Sequence, residues 1–101
     1  MKVEWSEPAI RAVAELRAYI ARDSYAYADA VVHRLLSGIL RLEEFPRSGR
    51  PVPEADDESI REIIVAPYRI IYRIRGEALT LVTVIHGARD LTAGAPKPWE
   101  L

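Results

Sequence analysis

The 101-residue sequence contains no cysteine, which excludes a disulfide framework, thiolate chemistry and any cysteine-held metal. Histidine is nearly as scarce. His33 and His86 lie far apart in the chain, too sparse a set for a structural zinc site, so neither a metal nor a cofactor is expected. No apolar run approaches the ~20 residues that cross a bilayer, and no membrane partner is expected. The opening Met1-Lys2-Val3-Glu4-Trp5 lacks the long apolar segment and small-residue cleavage site of an export signal, which points to a cytoplasmic location. Lysine is confined to Lys2 and Lys97, leaving arginine to supply the rest of the 14 basic residues. The net charge of −1 lacks the positive excess of a dedicated nucleic-acid binder.

What is present is ordinary globular material. Half of the residues are hydrophobic and 29% are charged. A chain of this length makes one domain, expected over residues 1–91, followed by a short tail at 92–101 that carries proline and glycine. Charge is unevenly spread. Arg61, Arg69, Arg73, Arg75 and Arg89 face only Glu62 and Glu77 in the same segment, whereas residues 54–58 before it are mostly acidic. The planar arginine fork suits carboxylate and phosphate partners alike.

Periodicity sets the order of elements. Residues 2–5 alternate polar and apolar side chains as a short strand. Ser6 is a good N-cap, and Pro8 is tolerated in a first helical turn. Ala9, Val13, Leu16 and Ile20 then recur at helical spacing, predicting a helix over 7–21. Asp23 or Ser24 caps a second helix whose stripe is Ala28, Val32, Leu35, Leu36, Ile39 and Leu42. Gly38 within it costs up to about 1 kcal/mol relative to alanine, with close approach by the first helix as the expected return. Phe45-Pro46 ends that helix. The short link between the two makes an αα-hairpin.

Residues 47–58 read as a loop punctuated by Pro51 and Pro53. Three strands follow at 60–65, 68–75 and 79–86, with Gly76-Glu77 as a hairpin turn. In the middle strand Tyr68, Ile70, Tyr72 and Ile74 share one face, and Arg69, Ile71, Arg73 and Arg75 the other. The expected fold is therefore α+β, in the order β-α-α-β-β-β: an antiparallel sheet with the N-terminal helical hairpin on one face.

Several segments, in this order, carry a resemblance. They are Trp5-Ser6-Glu7-Pro8-Ala9, the corner Glu44-Phe45-Pro46-Arg47-Ser48-Gly49-Arg50-Pro51, Arg61-Glu62-Ile63-Ile64-Val65, Tyr68-Arg69-Ile70-Ile71-Tyr72-Arg73, and Val84-Ile85-His86-Gly87-Ala88-Arg89-Asp90. Together they resemble the RelE/ParE superfamily of toxins from bacterial type II toxin–antitoxin systems, over roughly residues 3 to 91. The resemblance implies two alternative activities on one scaffold. RelE-like members are ribosome-dependent mRNA endonucleases, which use basic residues and a C-terminal tyrosine or histidine. ParE-like members, the plasmid-stabilisation branch, inhibit DNA gyrase. Both imply a partner antitoxin, ParD-like in the second case, whose C-terminal segment wraps the toxin into a hetero-oligomer.

For the ribonuclease, the resemblance would place Arg61, Arg69, Arg89 and His86 in the catalytic set. The lysines of that set and the late tyrosine are missing, and the His-Gly-Ala-Arg-Asp ending resembles the ParE branch, for which no catalytic residues are expected. A toxin-fold protein that keeps antitoxin binding but not toxicity is a third reading. Arg61, Arg69, Arg73, His86, Arg89 and Trp99 are the candidate contacts to target or antitoxin. Arg73 and Arg75 read rather as solvated edge arginines, His86 as a structural residue bonding a loop carbonyl, and Trp99 as a free end or an anchor.

Overall fold

In the computed structural model, which describes residues 1–92, 94 and 96–100, Ser6 ends one element and begins the next. Strand β1 (Val3–Trp5) runs into helix α1 (Glu7–Ala21). The Ser6 hydroxyl accepts the Ala9 N–H at 3.1 Å and donates to the Val82 carbonyl at 3.0 Å, joining the helix start to the sheet. Helix α2 (Tyr25–Glu44) is capped by Ser24, not Asp23, through the Tyr27 N–H at 3.0 Å.

The chain then forms strands β2 (Arg50–Pro51), β3 (Ile60–Val65), β4 (Tyr68–Arg75) and β5 (Ala78–His86), with a 3-10 turn at Pro98–Glu100. The sheet order is β1-β5-β4-β3-β2. The meander β3-β4-β5 is antiparallel, as expected. Gly76, first in the two-residue β4–β5 link, has φ +58°, as a primed hairpin turn with leading glycine requires.

Two features correct the expected sheet. β1 pairs parallel with β5, Val3 opposite Leu79 and Trp5 opposite Leu81, so the sheet is mixed. Parallel neighbours need a crossover connection, and here the helical hairpin lies within it. The second feature is β2, set inside the stretch expected to be loop, where Arg50 pairs with Glu62 and Pro51 with Arg61. A two-residue strand containing proline gives no periodic signal.

The helices bury one stripe each. α2 turns Ala28, Val31, Leu35, Ile39 and Leu42 inward. Val32 is half-buried and Leu36 exposed, so the stripe is rotated from the one that spacing suggested. Gly38 faces the sheet and not α1: a Cβ there would meet Val65 Cγ2 at 3.1 Å and Ile63 Cδ1 at 3.5 Å. The close approach expected of α1 is thus made by β3.

Both faces of the sheet are covered. On the helix side Ile70, Tyr72, Ile74, Leu79, Leu81 and Val84 pack against the α1–α2 hairpin. On the opposite side Ile60, Ile71 and Ile85 meet Val52 from the β2–β3 loop, Leu91 beyond β5 and Trp99 from the tail, forming a second, smaller core. A register shift opposite Ile71 and Tyr72 lets both Leu81 and Val84 face the helices while Val82 and Ile85 face the other way.

Tyr72 fixes the corner before β2. Its buried hydroxyl donates to the Pro46 carbonyl at 2.9 Å and accepts the Gly49 N–H at 3.0 Å. Tyr72→Phe keeps the ring and leaves both backbone groups without a partner. It is expected to cost about 1–3 kcal/mol in urea unfolding, without altering the far-ultraviolet spectrum. Unchanged stability would show that the hydroxyl does not secure the corner.

Candidate functional site

The two-residue turn between β3 and β4 sets the register Val65–Tyr68, Ile64–Arg69, Glu62–Ile71. Glu62 and Arg69 are therefore diagonal neighbours on the face away from the helices. The Glu62 side chain has no exposed surface, and one oxygen accepts the Arg69 Nε–H at 2.6 Å while the other accepts the Arg50 Nε–H at 2.7 Å. The two terminal nitrogens of Arg69 continue the cluster, donating at 3.0 and 2.9 Å to the two carboxylate oxygens of Glu54 in the β2–β3 loop. This is the two-pronged geometry that arginine favours with a carboxylate.

Four charges thus sum to zero on one side of the sheet. The hydrogen bond from Arg69 holds the Glu54 carboxyl below its ordinary value, against a smaller opposing effect of burial. The Arg69 guanidinium is stabilised in turn, first by Glu54 and then by Glu62, and stays fully charged.

The other expected site residues do not join this cluster. Arg61 donates to the Gly49 carbonyl at 2.8 Å, and its Nε is buried without a hydrogen-bond partner among the described residues. Arg73 donates to the Trp99 carbonyl and likewise has a buried, unpartnered Nε. Arg75 is exposed. Trp99, 8% exposed, is seated in the second core, which realises the anchoring alternative for the tail. His86 is exposed at the end of β5. Its Nδ1 accepts the Ala88 N–H at 3.0 Å and its ring stands edge-on to Tyr68, centroids 5.9 Å apart. Burial raises the Tyr68 phenol above its usual value, so it remains protonated at neutral pH. Arg89 is exposed on a different side, in a groove of about 420 Å³ that it shares with Arg11, Glu15 and Tyr19 of α1.

Glu54, Glu62 and Arg50 were not among the sequence candidates. The signal for Glu62 was present: with a two-residue β3–β4 turn, counting back places it diagonal to Arg69. No such count reaches Glu54, which arrives through a loop. Among the described residues no group of histidine and carboxylate side chains is arranged to hold a metal ion. No described helix is long and apolar enough to cross a membrane.

The architecture is that of a small α+β toxin fold. It superposes on a chain from a structure titled as the chromosomal ParDE toxin–antitoxin system of P. aeruginosa with a TM-score of 0.71, covering 85% of this chain and 95% of that one, at 15% identity. Residues 3–91 match the family described as the ParE toxin of the type II toxin–antitoxin system parDE, and the chain belongs to that family. It is 37% identical over 87 residues to the protein Y4kP of Sinorhizobium fredii, covering 84% of this chain and 86% of that one. It is also 32% identical over 66 residues to toxin ParE3 of Caulobacter vibrioides, covering 65% of each.

The ion cluster generates a pH prediction. Because the folded Glu54 carboxyl titrates below its ordinary value of 4.5, the stability that its pairing supplies is complete above that value. It is lost as pH falls through the lowered folded value. The urea midpoints of wild type and Glu54→Gln should differ at pH 7 and converge towards pH 3; a gap constant with pH would dismiss the clamp. Arg69→Ala, which leaves the buried Glu62 carboxylate with Arg50 alone, is expected to cost up to about 3–5 kcal/mol. A loss below 1 kcal/mol in the same denaturation would contradict that burial.

Proposed function

We propose that this chain inhibits DNA gyrase without catalysing a reaction of its own, and that a ParD-like antitoxin neutralises it in the cytoplasm. The observation that carries the first part is the engagement of Arg69. A nuclease of the RelE kind needs cations free to hold the scissile phosphate and its developing charge, together with a positioned base. Arg69 is instead committed to two carboxylates. Arg61 and Arg73 each donate to a backbone carbonyl, and lysine is missing between Lys2 and Lys97. His86 and Arg89 are the exposed members of the ribonuclease set, and Arg89 lies in a groove with α1. Membership of the ParE family agrees with this reading.

The antitoxin part rests on unpartnered apolar surface. Ile10, Leu36, Leu40, Phe45 and Ile64 are each between 39% and 64% exposed, and Leu36 and Leu40 lie one turn apart on α2. Such a surface fits a toxin that spends most of its life covered.

The test is expression of the chain in bacteria without antitoxin, combined with a gyrase assay on purified protein. Growth arrest with filamentation, an induced DNA-damage response, and either blocked supercoiling or trapped cleavage complexes are expected, with cellular mRNA intact. The reading fails if gyrase is untouched while mRNA is cut within translated frames. The exposed Arg89→Ala and His86→Ala variants then become the informative ones, because Arg69→Ala disturbs the fold. Harmless expression alongside tight antitoxin binding would select the non-toxic alternative.

A further inference from the structure

Past the end of β1 the outer edge of β5 loses its neighbour. β1 pairs only as far as Leu81, the Ser6 hydroxyl bonds the Val82 carbonyl, and the chain then leaves as α1. The Ile74 N–H bonds the Ser59 carbonyl on the β3 side of β4, so alternation turns Arg69 and Ile71 towards β5, opposite Ile85 and Thr83. Val84, between those two, is left with its N–H and C=O pointing outward, where they meet no strand among the described residues. Backbone polar groups of a folded chain nearly always find a partner, in water or in another molecule.

The groove of about 420 Å³ that holds Arg89 runs along this edge, with Val84 on its β5 wall and Arg11, Glu15 and Tyr19 on its α1 wall. It opens on the flank of α1 turned away from α2, since Arg17 on the opposite flank bonds Asp29 of α2 at 2.8 Å. It is therefore separate from the apolar shoulder at Leu36 and Leu40, which belongs to α2. Its cations are largely uncommitted. Arg89 is exposed and enters no ion pair among the described residues. The Arg11 side chain is 59% exposed and spends one nitrogen on Glu7, at 3.2 Å. Against these two guanidiniums the groove sets one carboxylate, Glu15. Tyr19 completes the α1 wall, 68% exposed, with the Arg22 guanidinium 5.7 Å from its ring centre. Tyrosine and arginine are enriched among the residues that carry binding energy at protein interfaces.

We propose that this groove receives an extended, acidic segment of the toxin's protein target. Val84 pairs with the backbone of the segment, Arg89 and Arg11 take its carboxylates, and Tyr19 packs against it. Glu15 supplies selectivity: it repels a uniformly acidic chain and accepts a hydroxyl, amide or lysine of the right one. A peptide fits better than a nucleic-acid strand, because its own N–H and C=O reciprocate those of Val84 and a phosphate backbone has no donor to offer. The target is gyrase on the reading above, and the assignment rests on that reading. Antitoxin shoulder and target groove then lie on different flanks of the helical hairpin.

The test uses the full chain and purified gyrase. A photoreactive p-benzoylphenylalanine replacing Tyr19 should cross-link to a gyrase subunit, within a peptide rich in aspartate or glutamate. The same group replacing Arg75, exposed beside the β4–β5 turn, should not. Reversing both charges, Arg11→Glu with Arg89→Glu, should weaken gyrase inhibition at least about tenfold and leave the melting temperature unchanged. Arg75→Glu should inhibit as wild type does. A folded double variant that inhibits as well as wild type overturns the groove, as do adducts formed equally from both positions. Failure of the gyrase reading looks different: the wild-type chain itself leaves supercoiling untouched and forms no adduct, and the assignment of the groove falls with it.

Discussion

Glu62 holds a carboxylate on the sheet with no exposed side-chain surface, and much of this face of the molecule is arranged to match that charge. Arg69 reaches it from β4 and Arg50 from β2, and Glu54 balances the second arginine from the loop. Such a cluster is no stronger a stabiliser than a well-packed apolar group would be, because desolvating four charges offsets their attraction. The buried pair at its centre is Arg69 and Glu62, and losing either leaves the other short of a partner. The loop between β2 and β3 is thereby held against the sheet, which seats Val52 over Ile60 and Ile71. That small core is in turn the surface on which Leu91 and Trp99 rest.

Among the described residues, both faces of the sheet are largely covered. Helices close one side; a loop and the tail close the other. A β-sheet exposed on one face offers a broad platform for nucleic acid, and this one does not. The contact surfaces that remain are edges and helix shoulders. These suit a peptide that wraps, since strand pairing and helix-in-groove contacts both work along narrow tracks.

Much of this was legible in the sequence, for reasons that follow the physics. Helix α1 and the meander carry strong periodicity, and both were placed from it to within a residue. Ser24 and Asp23 are chemically equivalent as caps, so only the tertiary arrangement chose between them. The parallel pairing of β1 was invisible, since a three-residue strand has no pattern that specifies its neighbour. The α2 stripe was read slightly out of phase because Val31, Val32, Leu35 and Leu36 are all apolar, and spacing alone cannot say which pair turns inward. At the candidate site, arginine positions were readable but their commitments were not. Alternation placed Arg69 and Arg73 opposite the helices as though that face were open. What closed it was Glu54 and Trp99, from segments without periodicity.

That last point bears on how chemistry is gained or lost on this scaffold. A phosphodiester approaching Arg69 would carry one negative charge and would arrive from solution. It would compete with Glu54 and Glu62, two carboxylates already held at 2.6–3.0 Å by the fold. Groups tethered in place act at a high effective concentration that a free ligand must exceed. Displacing Glu54 would also unseat the loop over the second core, and displacing Glu62 would leave its buried carboxylate with Arg50 alone. The arginine that resembles a catalytic residue by position is therefore already engaged by the fold's own carboxylates. Conversion towards a phosphate site would require replacing both carboxylates and finding another anchor for the loop, a change larger than any single substitution supplies.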